Sequence, residues 1–245
     1  MSQLKVDSIK HHISDRIPKE FLKNHMLSDE IKWTTLICRA SGLSSLRVLQ
    51  ALIETGADIY NVNDSGDSAL TMSWYSDKDT LPKVKYLIDH DNDLVNATDC
   101  AQYTPLHIAA SRGLVDVCTF ILKHGANVHA RECQCLTCFH IAAMTNKTQV
   151  MDLLLTHGAR IDDQTNNNNT AIHLAAHHGA LDAVTYLLDK GIDSNVPGCE
   201  NRSPLCAAAF AGRINVVDEL IRRGADVRHQ YVYGLFYFYC FVCFI

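Results

Sequence analysis

A positive charge excess and the common catalytic motifs are missing from this chain, and its opening residues are not expected to act as a secretory leader. The opening residues, MSQLKVDSIKHHISDRIPKEF, hold no uninterrupted apolar run of the roughly 7–15 residues a secretory signal uses. The expected compartment is therefore the cytoplasm, with the nucleus as an alternative, and the ten cysteines are expected as reduced thiols rather than a disulfide framework. The sequons at Asn96, Asn146, Asn168 and Asn201 are then coincidental. Twenty-two Lys and Arg against 27 Asp and Glu give a formal charge of −5, which argues against nucleic acid and against non-specific binding to an anionic membrane. No phosphate-cradling G-x-x-x-x-G-K-[ST], no G-x-G-x-x-G, no G-x-S-x-G and no kinase-type H-R-D occurs. Nothing pairs a nucleophile with a base, so no enzyme and no cofactor is expected. With 47% apolar residues, the 245-residue chain is nonetheless rich enough to bury a sizeable core.

What is present is a repeat. TPLHIAASRG begins at Thr104, TCFHIAAMTN at Thr137, TAIHLAAHHG at Thr170 and SPLCAAAFAG at Ser203, a constant step of 33 residues. A second landmark keeps that step: GAN at Gly125, GAR at Gly158, GID at Gly191 and GAD at Gly224. Within each unit, Thr or Ser stands where a helix N-cap belongs, and Pro105 and Pro204 follow at the first helical position, where a missing N–H costs nothing. The Ala-Ala pair keeps the first helix thin. Gly113, Gly179 and Gly212 can end it by adopting positive φ. A second helix follows, its apolar spacing read from Val117, Phe120, Ile121 and from Val150, Leu153, Leu154. The polar residues before the next Thr suit an extended connector. One unit cannot cover its own apolar stripe, so neighbours must stack.

The period, the T-P-L-H-x-A-A string and the G-A-D string resemble ankyrin repeats. The resemblance covers most of the chain and is strongest over residues 104–226. It implies an all-α ankyrin-repeat solenoid, with helix–turn–helix units joined by β-hairpin-like connectors. Two weaker units precede the clear ones: Thr34-Thr35-Leu36 with Gly56-Ala57-Asp58 and a displaced Gly42, then Ser68-Ala69-Leu70 with Asp91-Asn92-Asp93. The expected organisation is an N-terminal helical cap over 1–32, then six repeats across 33–230 (33–64, 65–100, 101–133, 134–166, 167–199, 200–230), and an apolar tail over 231–245.

Three constellations could carry chemistry. His107, His140 and His173 recur at the repeat period; catalysis needs one convergent site, so a hydrogen-bonding role tying helix starts to connectors is expected, loosened where Cys206 replaces the imidazole. Cys133, Cys135 and Cys138 with His140 have zinc-ligand spacing, but the repeat folds without metal, and an oxidisable thiol cluster is the alternative. His173 and His177 stand at i,i+4 without the Glu of H-E-x-x-H. The tail YVYGLFYFYCFVCFI has no charge and eight aromatics; as a helix it would reach only about 22 Å, short of a bilayer's ~30 Å core. An aborted seventh repeat or truncated end is expected there. A tail anchor, or the start of a channel-like membrane domain carrying a cytosolic ankyrin arm, is the alternative.

With no reaction centre, function falls to the surface. The resemblance implies a concave face built from connector tips and the ends of the first helices. Carried over, it selects Ala101, Tyr103, Ser111 and Arg112; Gln134, Leu136, Met144 and Thr145; Asn167, Asn169, His177 and His178; and Glu200, Arg202, Phe210 and Ala211. The expected function is an adaptor or scaffold that binds a protein partner. It is expected to be monomeric apart from any association through the tail.

Overall fold

The structure is a computed structural model that describes residues 33–228, save 44–45, 55, 64–65 and 75–79. The N-terminal cap expected over 1–32 and the tail 231–245 lie outside the described residues. Twelve α-helices and no strand occupy the described part: α1 Trp33–Leu43, α2 Leu46–Glu54, α3 Ala69–Ser73, α4 Thr80–His90, α5 Pro105–Arg112 and α6 Val115–Lys123, then α7 Cys138–Met144, α8 Thr148–Thr156, α9 Ala171–His178, α10 Leu181–Asp189, α11 Pro204–Phe210 and α12 Ile214–Arg222. The chain is all-α, as the period implied. It divides into two compact units, residues 1–100 and 101–245.

In the second unit, the first helices α5, α7, α9 and α11 pack in series, and the second helices α6, α8, α10 and α12 form a parallel row behind them. The sequence dictates this thinness. Ala109, Ala110, Ala142, Ala143, Ala175 and Ala176 are fully enclosed, so the neighbouring helix rests almost on backbone. Behind them the buried stripe of the second helices runs Val117, Cys118, Ile121; Val150, Met151, Leu154; Ala183, Val184, Leu187; and Val216, Val217, Leu220. Phe120 and Leu153, expected in that stripe, are only half-buried; the positions two residues earlier, Cys118 and Met151, face the core instead. Each fully buried aliphatic side chain in this stripe contributes about 1.5–3 kcal/mol relative to exposure.

The turns repeat as faithfully as the helices. Gly113, Asn146, Gly179 and Gly212 all take positive φ after the first helix. At Gly179 the demand is double: φ is +76°, and an added Cβ would come within 2.9 Å of the Arg213 side chain. The connector tips carry their own left-handed residues, Gln102, Cys135, Asn168 and Asn201, again at the repeat step. The connectors are hairpin-like only locally: isolated antiparallel bridges join Val62 to Ser68 and Arg131 to Thr137.

Each clear repeat is tied to the next through a ring. The backbone N–H of Thr104 donates to Nδ1 of His107 (3.1 Å), Thr137 to His140 (3.2 Å) and Thr170 to His173 (3.2 Å). An Nδ1 that accepts is unprotonated, so the neutral ring carries its proton on Nε2. That proton is donated forward into the next connector, from His107 to the Leu136 carbonyl (3.3 Å), from His140 to Asp163 (2.9 Å), and from His173 to Val196 (3.0 Å) and Arg202 (3.1 Å). The connector must come close for this. At Gly198 a Cβ would sit 2.6 Å from His173 Nε2. Burial holds His140 and His173 below the ordinary imidazole range, which keeps the donating, neutral form in place.

The first unit repeats the plan with substitutes. α1 packs on α3 and α2 on α4. Its core gathers Leu36, Ala40, Val48, Ala51 and Leu52. Cys38 stands where a ring would be: its Sγ lies 3.2 Å from the Asn61 carbonyl and 3.3 Å from that of Asp67. Those partners are 23 and 29 residues ahead, the same separations that His173 spans. Burial, then the Asp67 charge, push the Cys38 thiol up to about 11, so it remains a thiol. In the next unit Thr71 takes the place and bonds back to its own N-cap, Ser68, at 3.1 Å. Gly42, read from sequence as a displaced terminator, is instead buried inside α1, where an added Cβ would meet Met72. Lys83 is fully buried on α4, its Nζ donating to the Ser41 carbonyl at 2.8 Å.

Candidate functional site

The periodic histidines of the second unit are consumed by the fold, which decides where function can be sought. His107, His140 and His173 use both ring nitrogens, so neither a general base nor a His173/His177 chelate is available; His173 is buried while His177 is exposed. The zinc alternative loses its ligands in the same way. His140 is fully engaged, Cys138 is enclosed with its thiol pushed up by burial, Cys133 Sγ lies 3.2 Å from the Glu132 carboxylate, and Cys135 is half-buried on a left-handed backbone. Among the described residues no three His, Cys, Asp or Glu side chains converge to hold a metal ion.

The surface selected from the sequence divides into three groups. The first supports the fold. Leu136 is only 8% exposed, so it is corrected from a contact residue to a core one: its side chain turns inward from the connector, its N–H donates to Glu132 (2.9 Å) and its carbonyl receives the His107 proton. Asn169 is half-buried and its Oδ1 accepts from the Cys199 N–H at 3.0 Å. Ser111 and Thr145 turn their hydroxyls onto the helix, donating to the carbonyls of Ile108 and Ile141 at 2.8 Å each. The second group, Ala101, Tyr103, Arg112, Met144 and Ala211, is half-buried; the Tyr103 ring sits edge-on to His107, with centroids 5.7 Å apart. Gln134 and Asn167 are exposed at successive tips.

The third group is brought together. Phe210, the last residue of α11, is 66% exposed. Its ring stacks on His177 of α9, centroids 6.4 Å apart and planes 21° from parallel, and the Arg202 guanidinium lies 5.8 Å from the ring centre. His178 meets His177 edge-on at 5.1 Å, and its Nδ1 donates to the Leu174 carbonyl. Arg202 pairs with Glu200 at 2.5 Å. Arg213, which the sequence reading did not select, belongs here too: its Nε donates to the His177 carbonyl at 3.0 Å. No motif marks Arg213; only the repeat step, which places it one residue past the Gly212 turn, could have pointed to it. Burial foremost, then His178 and Arg213, hold His177 below the usual imidazole range. An aromatic platform framed by guanidiniums and imidazoles can bind a side chain by stacking and orient a carbonyl or carboxylate.

Comparison with known proteins agrees with this architecture. A family profile described as ankyrin repeats (3 copies) matches residues 19–132 and 139–231. Ankyrin repeat domain-containing protein 49 of Bos taurus is 38% identical over 63 residues, 26% of either chain. BCL-6 corepressor-like protein 1 of Homo sapiens is 48% identical over 46 residues, which is 19% of this chain and 3% of that protein. Palmitoyltransferase AKR1 of Lachancea kluyveri is 29% identical over 121 residues, 49% of this chain and 16% of that one. The matches thus span 26% or less of these relatives' own length.

Proposed function

The chain belongs to the ankyrin-repeat family, and from that premise we propose that it is a non-catalytic adaptor that recognises a protein partner. The recognising surface is formed by its connector tips and the ends of its first helices, and the protein acts in the cytoplasm or nucleus. One observation carries the reading. The recurring, chemically capable residues His107, His140 and His173 are spent on holding repeats together. The position two residues before each inter-helix turn instead changes from unit to unit, half-buried at Ser111 and Met144 and exposed at His177 and Phe210. Invariant inside and variable outside is the distribution expected of a scaffold whose specificity resides in its surface. A relative named as a palmitoyltransferase matches over 16% of its length, and no acyl-transfer chemistry is assigned to this chain. Among the described residues no helix is long and apolar enough to cross a membrane.

The test is a capture experiment. Replacing Tyr103, Met144, His177 and Phe210 together with Ser is expected to abolish recovery of the partner while leaving helical circular dichroism unchanged. Undiminished recovery would remove this face from the account.

A further inference from the structure

We propose that the Phe210 platform reads a short acidic–apolar peptide segment of the partner, one that lays an aliphatic or aromatic side chain on the Phe210 ring and offers a neighbouring carboxylate to Arg202 and Arg213. The proposal deepens the adaptor reading and rests on it.

Three observations point to this chemistry. First, a phenylalanine 66% exposed at a helix end is costly to leave in water, and such a ring is the kind of anchor that dominates interface energies. Second, the surroundings are already assembled. His177 backs the ring, Arg202 lies over it, Glu200 holds Arg202, and Arg213 is fixed both by its bond to the His177 carbonyl and by its stem lying across Gly179. Side chains fixed before the encounter lose little entropy on binding. Third, the charge is unbalanced. Arg202 is held by the Glu200 carboxylate, whereas Arg213 is held by a backbone carbonyl, and burial foremost, then His178 and Arg213, keep His177 toward its neutral form. The surplus positive charge favours an anion, and the ring beside it favours an apolar neighbour. A polyanion such as nucleic acid is disfavoured, since the chain as a whole carries −5 and the platform has only two permanent cations.

The probe is a phage-displayed library of random dodecapeptides panned against the full chain, followed by a fluorescein-labelled synthetic copy of the enriched consensus. The expected consensus places Phe, Leu, Ile or Trp within three residues of Asp or Glu. Phe210→Ser is expected to weaken the synthetic peptide on the order of tenfold or more, Arg213→Glu less, and Phe210→Leu least. Each variant must keep its helical circular dichroism. A basic or charge-free consensus would overturn the proposal, as would failure to enrich any peptide. A consensus blind to Phe210→Ser but lost with Tyr103→Ser and Met144→Ser would overturn it while leaving the adaptor reading intact.

Discussion

Repeats centred on His107, His140 and His173 and those centred on Cys38, Thr71 and Cys206 share one backbone plan but are joined differently. An imidazole has two nitrogens about 2 Å apart on opposite sides of a rigid ring, so one residue caps its own helix and reaches the next connector. Cys38 reaches the two equivalent carbonyls with a single weak S–H donor. Thr71 is too short to reach forward and, among the described residues, its hydroxyl bonds to Ser68. Cys206, among the described residues, meets only Ser203, at 3.4 Å. The chain divides after Cys100, which closes the repeat centred on Thr71. Reach and polarity of one side chain per repeat thus decide whether a helix start is hydrogen-bonded to the next connector.

The largest expected effect tests that difference directly. His140→Ala strands the Thr137 N–H and the Asp163 carbonyl, while the Thr137 hydroxyl keeps only its bond from the backbone N–H of residue 140, and it should lower unfolding stability by about 2–3 kcal/mol at roughly 1 per lost partner. Cys206→Ala, scored in the same urea titration, should cost under about 1 kcal/mol. Equal losses would erase the distinction. Next comes Gly179→Ala, expected to cost about 1–2 kcal/mol for the left-handed backbone, before the clash with Arg213 is added.

The comparison also has a pH signature. His140 and His173 are depressed in the folded state, so the unfolded chain binds protons first on acidification. Their contribution is complete above about pH 6.5, the unfolded imidazole value, and is lost as pH falls below it toward the depressed folded values. His140→Gln should reduce this slope by up to one proton, read from urea midpoints between pH 5 and 7.5. The smallest effect separates thiols. Cys133 and Cys135 should react with a thiol-specific reagent well before Cys38, Cys118 and Cys138, which are enclosed; burial pushes Cys118 up to about 12.

Much of this architecture was legible in the sequence because it repeats. Thr137-x-x-His140 and the terminating glycines announce caps and turns whose chemistry is local. The misses occur where local pattern underdetermines direction. Leu136 looked like a tip residue because Gln134, two residues before it, is outside, yet the left-handed backbone at Cys135 breaks the alternation and turns it into the core. Phe120 and Leu153 fit a helical period as well as Cys118 and Met151 do; only the neighbouring helix row chooses between them. Cys38 gave no signal because a cysteine in place of histidine breaks the string while preserving the 23- and 29-residue reach. At the candidate site, Phe210 and His177 were readable as variable positions, whereas their stacking and the Arg213 support depend on how α9 and α11 pack.

The most direct test of the account is the proton on each ring. Long-range nitrogen–proton correlation spectra of the histidine side chains should show His107, His140 and His173 as neutral tautomers protonated at Nε2, with His140 and His173 holding that state below pH 6.5. Any of these three found protonated at Nδ1, or His140 and His173 titrating like free imidazoles, would contradict the claim that these rings tie one repeat to the next.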